Sequence, residues 1–107
     1  MTWKEIEMVK HVIIWTLKEN FSEKEKENIK AEIKEGLEGL KDKIPGLMGI
    51  KVYTDGLSSS NGDLMLDSMF KDRSSLSGYA IHPEHVAVAD NKVRPYVKIR
   101  SCFDYEV

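Results

Sequence analysis

The stretch from Val9 to Leu17 constrains the fold of this chain more than any other. Val9, Val12, Ile13, Ile14, Trp15 and Thr16 are β-branched or aromatic, a composition that favours an extended strand. Side chains alternate along a strand, so His11, Ile13 and Trp15 take one face and Val12, Ile14 and Thr16 the other. Both faces are largely apolar, and such a strand must be covered on both sides. It therefore belongs in the interior of a sheet, with one layer packed above it and another below.

The rest of the sequence supplies one of those layers. Ser22, with Glu25 three residues on, forms a capping box that opens a helix. Ile29, Ile33, Leu37 and Leu40 recur at helical spacing among Lys and Glu. Pro45 disfavours helix at the residue before it, so the helix is expected to stop near Ile44. A second strand runs from Leu47 to Thr54, with Met48, Ile50 and Val52 alternating. The serine- and glycine-rich segment from Gly56 to Gly62 reads as a loop. Leu64, Leu66 and Phe70 alternate through a third strand, and Asp72 caps a second helix bearing Leu76, Tyr79 and Ala80. His82-Pro83 interrupts that helix, and a short one follows over His85 to Val93. In the last strand, Val97 to Tyr105, one face carries Val97, Ile99, Phe103 and Tyr105 and the other Lys98, Arg100 and Asp104. The order β-α-β-β-α-β is the split βαβ, an α+β ferredoxin-like arrangement with both helices on one face of an antiparallel sheet.

The second layer has to come from elsewhere. A chain of 107 residues has room for one core, here residues 8–107 behind a polar N-terminal extension, residues 1–7. On the helix-free face, Met65 and Met69 flank Asp67 and join Val12 and Ile14. A second copy packed there through a two-fold axis gives a homodimer and covers that face. The alternative is a partly wetted face carrying Lys98, Arg100 and Asp104. A net charge of −2 without any basic block argues against nucleic-acid binding. The 32% charged content and the lack of a long apolar run argue against a membrane protein. The lone cysteine, Cys102, fits a reducing compartment, and the cytoplasm is the expected location.

Functional side chains are densest in Tyr79-Ala80-Ile81-His82-Pro83-Glu84-His85-Val86. Histidine exchanges protons near neutral pH, and a tyrosine hydroxyl can donate to a carbonyl oxygen. If the helices face the first strand, a small apolar or carbonyl-containing ligand can sit between helices and sheet. His11, Ile13 and Trp15 would contact it from the first strand, and Ile33 from the first helix. Leu64 and Leu66 would do so from the third strand, with Tyr79, His82, His85 and Tyr96 closing the site. A purely structural reading stands beside this one. In it His82 and His85 cap a helix end, His11 is a satisfied core histidine, and Tyr79 only packs. A zinc site at His82 and His85, with Glu84 and Asp90 nearby, is the weaker option because no cysteine cluster supports it. No cofactor and no metal are expected.

Several segments resemble one family. Met8-Val9-Lys10-His11-Val12-Ile13 resembles the opening strand of the stress-responsive dimeric α/β-barrel (Dabb) family, and Ile44-Pro45-Gly46-Leu47 its turn after the first helix. Tyr79-x-x-His82-Pro83-x-His85-Val86 is similar to its most distinctive motif, and Phe103-Asp104-Tyr105 to its closing strand. The resemblance implies a ferredoxin-like subunit whose sheet joins a partner's to form a dimeric α/β barrel. The family includes stress-induced plant proteins and a plant polyketide cyclase that closes an aromatic ring by aldol condensation without a cofactor. By motif, the cyclase's general base corresponds to His85, its carbonyl-orienting hydroxyl to Tyr79, and its opening-strand histidine to His11. A further pocket histidine of the cyclase falls at Leu64 here, so the resemblance does not carry its substrate over.

Three functions follow from these readings. One is a non-catalytic dimer that binds a small molecule. Another is a cofactor-independent enzyme with His85 as base and Tyr79 as donor. The third, by analogy with other dimeric α/β barrels, is oxidative chemistry of the monooxygenase kind.

Overall fold

Ser22 and Glu25 close the expected capping box in the computed structural model, which describes residues 7–107. The Ser22 hydroxyl accepts from the Glu25 amide at 3.1 Å, and the Glu25 carboxylate from the Ser22 amide at 2.7 Å. Behind this cap runs α1 (Glu23–Glu38), which buries Ile29, Ile33 and Leu37. The remaining elements are β1 (Val9–Leu17), β2 (Leu47–Tyr53), β3 (Leu64–Phe70), α2 (Arg73–Ile81), α3 (Pro83–Val88) and β4 (Val97–Glu106). A π-helical turn, Ala89–Val93, and a 3-10 turn, Arg94–Tyr96, link α3 to β4. Most of residues 1–7, the N-terminal extension, lies outside the described residues.

The four strands form one antiparallel sheet in the order β2-β3-β1-β4, the ferredoxin-like topology expected from the element order. Ile13, Trp15 and Leu17 of β1, Leu66 and Phe70 of β3, and Val52 of β2 pack against Ile29, Ile33 and Leu37 of α1 and Tyr79 of α2.

Three features depart from the sequence reading. α1 ends at Glu38 rather than near Ile44. Gly36 and Gly39 disfavour continuing the helix, and the Glu38 carboxylate is held instead by the Val52 amide at 2.9 Å and Lys34 Nζ at 2.8 Å. Successive turns then tuck Leu40 and Ile44 into the core without a helix. Next, Met48 does not alternate inward with Ile50 and Val52. A bulge between Leu47 and Gly49 puts Leu47 opposite Phe70 on the inner face and leaves Met48 exposed.

The third departure concerns β4. Its register on β1 sets Arg100 opposite Trp15, Cys102 opposite Ile13 and Asp104 opposite His11. Paired residues share a face, so Arg100, Cys102 and Asp104 look toward the helix side, and Lys98, at the irregularity between the Ile99 and Val97 pairings, borders the same cavity. The sequence alternative of a helix-free face wetted by Lys98, Arg100 and Asp104 is therefore overturned. Ile99, Phe103 and Tyr105 lie on that face instead, exposed alongside Ile14.

Candidate ligand site between helices and sheet

β1 brings His11, Ile13 and Trp15 to the inner face of the sheet, each buried. Across from them α2 buries a single residue, Tyr79. His82 ends α2 in an extended conformation and opens α3, its Nδ1 accepting from the Glu84 amide at 3.1 Å. Pro83 occupies the first turn of α3, where the missing amide proton costs nothing. The chain folds back at this corner and lays the His85 ring on the Tyr79 ring, with centroids 4.0 Å apart and planes inclined by 30°. Edge-on contacts from the His11 ring reach Tyr79 at 6.0 Å and Phe70 at 6.3 Å.

The His11, Tyr79 and His85 rings border a cavity of about 610 Å³. Apolar walls come from Ile13, Trp15, Leu37 and Leu66, and the mouth from the polar face of β4. Ile33 and Leu64 are core residues that do not border it, because their side chains are sealed between α1 and the sheet or lie toward the far end of β1. His82 is also outside, held in its capping role, and Tyr96 packs edge-on against Phe21 at the opposite end of α1. Of the sequence-derived site residues, the fold gathers His11, Ile13, Trp15, Leu66, Tyr79 and His85 around one space.

Two polar atoms in this wall are buried without a hydrogen bond among the described residues: Tyr79 Oη and His85 Nδ1. Burial pushes the Tyr79 phenol well above its ordinary range, against an opposing pull from Arg100, and keeps it a donor. Burial also lowers the His85 pKa, aided by Arg94 and His11, while the nearby Ala80 and Tyr79 carbonyls act in the opposite sense. Neither carbonyl makes a hydrogen bond of normal geometry with Nδ1. The pair thus presents a neutral phenol and an imidazole biased toward its neutral, proton-accepting form.

At the mouth, Asp104 Oδ1 lies 2.5 Å from His11 Nδ1, and Cys102 Sγ lies 3.4 Å from the same carboxylate oxygen. Desolvation and the Asp104 carboxylate raise the Cys102 thiol pKa, so the thiol is not set up as a nucleophile. The sequence reading missed Arg100, Cys102 and Asp104 as cavity residues. Their alternation was visible, but only the pairing of β4 with β1 decides which face they take.

The sequence model of the stress-responsive A/B barrel domain, Dabb, matches residues 9–107. The chain belongs to the Dabb family. Its fold is that of a dimeric ferredoxin-like protein of unknown function from Bacteroides fragilis, with 31% identity, a TM-score of 0.87, and coverage of 94% of this chain and 96% of that one. A Dabb protein from Mesorhizobium loti is similar at 21% identity and a TM-score of 0.71, over 92% of this chain and 95% of its own. Hydroxynitrile lyase from Passiflora edulis shares the fold at 18% identity and a TM-score of 0.71, with 94% of each chain covered. No curated protein sequence matches the chain. Among the described residues of this Dabb chain, no helix is long and apolar enough to cross a membrane.

Proposed function

We propose that this Dabb protein is a homodimer that binds a small apolar, carbonyl-containing molecule between its helices and sheet. The observation that carries the reading is the pair of unsatisfied groups, Tyr79 Oη and His85 Nδ1, on one wall of an otherwise apolar cavity. Leaving a buried polar group unpaired costs about 1–3 kcal/mol, and a ligand that pairs it recovers that energy. A carbonyl oxygen suits the Tyr79 donor, while a hydroxyl or acidic C–H suits the His85 acceptor. The helix-free face is the proposed dimer interface, because Ile14, Ile99, Phe103 and Tyr105 are exposed there and the Bacteroides fragilis relative is dimeric. A free thiol at the cavity mouth suits a reducing, cytoplasmic setting.

A second reading makes the same pair catalytic, favoured by the stacking of His85 on Tyr79 and the lowered His85 pKa. His85 would take a proton from carbon next to the ligand carbonyl, and Tyr79 would donate a hydrogen bond to the resulting enolate oxygen. Thermal-shift screening with aromatic and aliphatic carbonyl compounds tests binding. Ligand stabilisation should be lost in Tyr79→Phe and His85→Ala, and hits that stabilise both variants as well as wild type would remove the pair from the site. Exchange of the α-proton of a bound ligand for deuterium, seen in wild type but not in His85→Ala, would separate catalysis from binding.

A further inference from the structure

We propose that His11, Cys102 and Asp104 form a three-ligand site for a divalent transition metal of the zinc class at the cavity mouth. Among the described residues they are the one group of His, Cys and carboxylate side chains close enough together to share an ion. His82 and His85, the pair with zinc-like spacing in sequence, do not form such a group, since His82 is committed to capping α3.

The donor set is a mixed nitrogen, sulfur and oxygen one that suits zinc. Tetrahedral zinc, with bonds of about 2.0–2.3 Å, places its donor atoms about 3.4–3.6 Å from one another. Cys102 Sγ already lies 3.8 Å from His11 Nδ1 and 3.4 Å from Asp104 Oδ1. Only the His11–Asp104 separation, 2.5 Å, is too short. It opens by rotating the Asp104 carboxylate, which is 42% exposed, while the His11 ring stays fixed against Phe70 and Tyr79.

β-sheet register is what assembles this site. Cys102 and Asp104 are two apart on β4, so they share a face, and Asp104 is directly opposite His11. Three protein ligands leave a fourth position, beside the cavity that all three line together with Tyr79 and Arg100. Tyr79, whose Oη is buried and unpaired, lines the same cavity. Thiolate and carboxylate balance the charge of a divalent ion, and Arg100 then favours an anionic or strongly polarised oxygen as the fourth ligand. The inference is independent of any catalytic role for His85.

The test is titration of chelator-treated full-length protein with Zn²⁺ or Co²⁺ alone, followed by calorimetry and, for cobalt, absorption spectroscopy. Wild type should bind one ion per subunit with Kd of about 1 μM or tighter, and the cobalt form should show a thiolate-to-metal charge-transfer band. Cys102→Ser should abolish that band and weaken binding at least about tenfold, as should Asp104→Asn. Both positions are exposed, so these variants should fold normally by circular dichroism. His85→Ala should keep wild-type metal affinity, which separates this site from the proposed ligand contacts. Binding weaker than about 100 μM, or unchanged in Cys102→Ser, overturns the proposal.

Discussion

The rings of Tyr79 and His85 stack at 4.0 Å although a helix break separates the two residues. That contact depends on the corner between them. His82 stops α2 and caps α3, and Pro83 fixes the first turn of the new helix, so α3 doubles back over the last buried residue of α2. The result is a donor and an acceptor held side by side by aromatic packing rather than by hydrogen bonds.

Tyr79→Phe should leave the free protein as stable as wild type or more stable. The hydroxyl it removes is buried and unpaired, and deleting such a group without leaving a new orphan removes a penalty of about 1–3 kcal/mol. Thermal denaturation of the unliganded protein should show Tm unchanged or raised. A marked fall would mean that the hydroxyl is satisfied in solution and that its readiness for a ligand has been misjudged.

The His85 imidazole gives the fold a pH dependence whose sign is fixed. Its folded pKa lies below the ordinary value, so between the two the unfolded chain binds more protons than the folded one. This contribution to stability is present above about pH 6.5 and is lost as pH falls toward the folded pKa. His85→Gln should lack the increment. Urea midpoints measured from pH 7.5 to 5.5 should fall more steeply for wild type than for the variant, and parallel slopes would contradict the burial assigned to His85.

Gly46 is a position where only glycine fits. Its φ is 81°, and a Cβ there would meet the Ser75 hydroxyl oxygen at 2.1 Å. Ser75 is itself held by two hydrogen bonds from its amide and hydroxyl to the Asp72 carboxylate, so it cannot yield freely. Gly46→Ala should cost about 1–3 kcal/mol, combining left-handed backbone strain with the clash. Equilibrium denaturation against wild type measures it, and a loss below about 0.5 kcal/mol would show that the turn relaxes.

Much of this was written in the sequence, and the failures share a cause. The capping box, the two helices on one face and the inner alternation of Leu64, Leu66 and Phe70 are local or periodic signals, and they hold. Met48 failed because a bulge is set by pairing across strands, not by the strand's own pattern. Arg100, Cys102 and Asp104 failed for the same reason at larger scale. A strand with one apolar and one polar face is ordinarily expected to turn its apolar face to its own core. Here β4 turns that face, with Ile99, Phe103 and Tyr105, away from the helices, and lets its polar face rim the cavity. For the site, the Tyr79-to-His85 motif was legible because it is contiguous. Ile33, Leu64 and Tyr96 have the right chemistry for a pocket wall, but packing commits Ile33 and Leu64 to the core and Tyr96 to Phe21.

The orientation of β4 also predicts where a charge would do the most damage to assembly. Phe103 is 69% exposed in the single chain and sits opposite Val12 on β1, with Tyr105 beside it. On the proposed dimer interface such a residue would be dry and close-packed once covered, and an unpaired charge placed there costs several kcal/mol on association. The same charge on the free subunit reaches water and should leave the fold almost untouched. Phe103→Lys should therefore shift the protein from dimer to monomer by light scattering at micromolar concentration while far-UV circular dichroism stays that of wild type. Lys24→Glu, exposed on α1 on the opposite side of the sheet, should stay dimeric. A Phe103→Lys protein that remains dimeric would place the interface elsewhere.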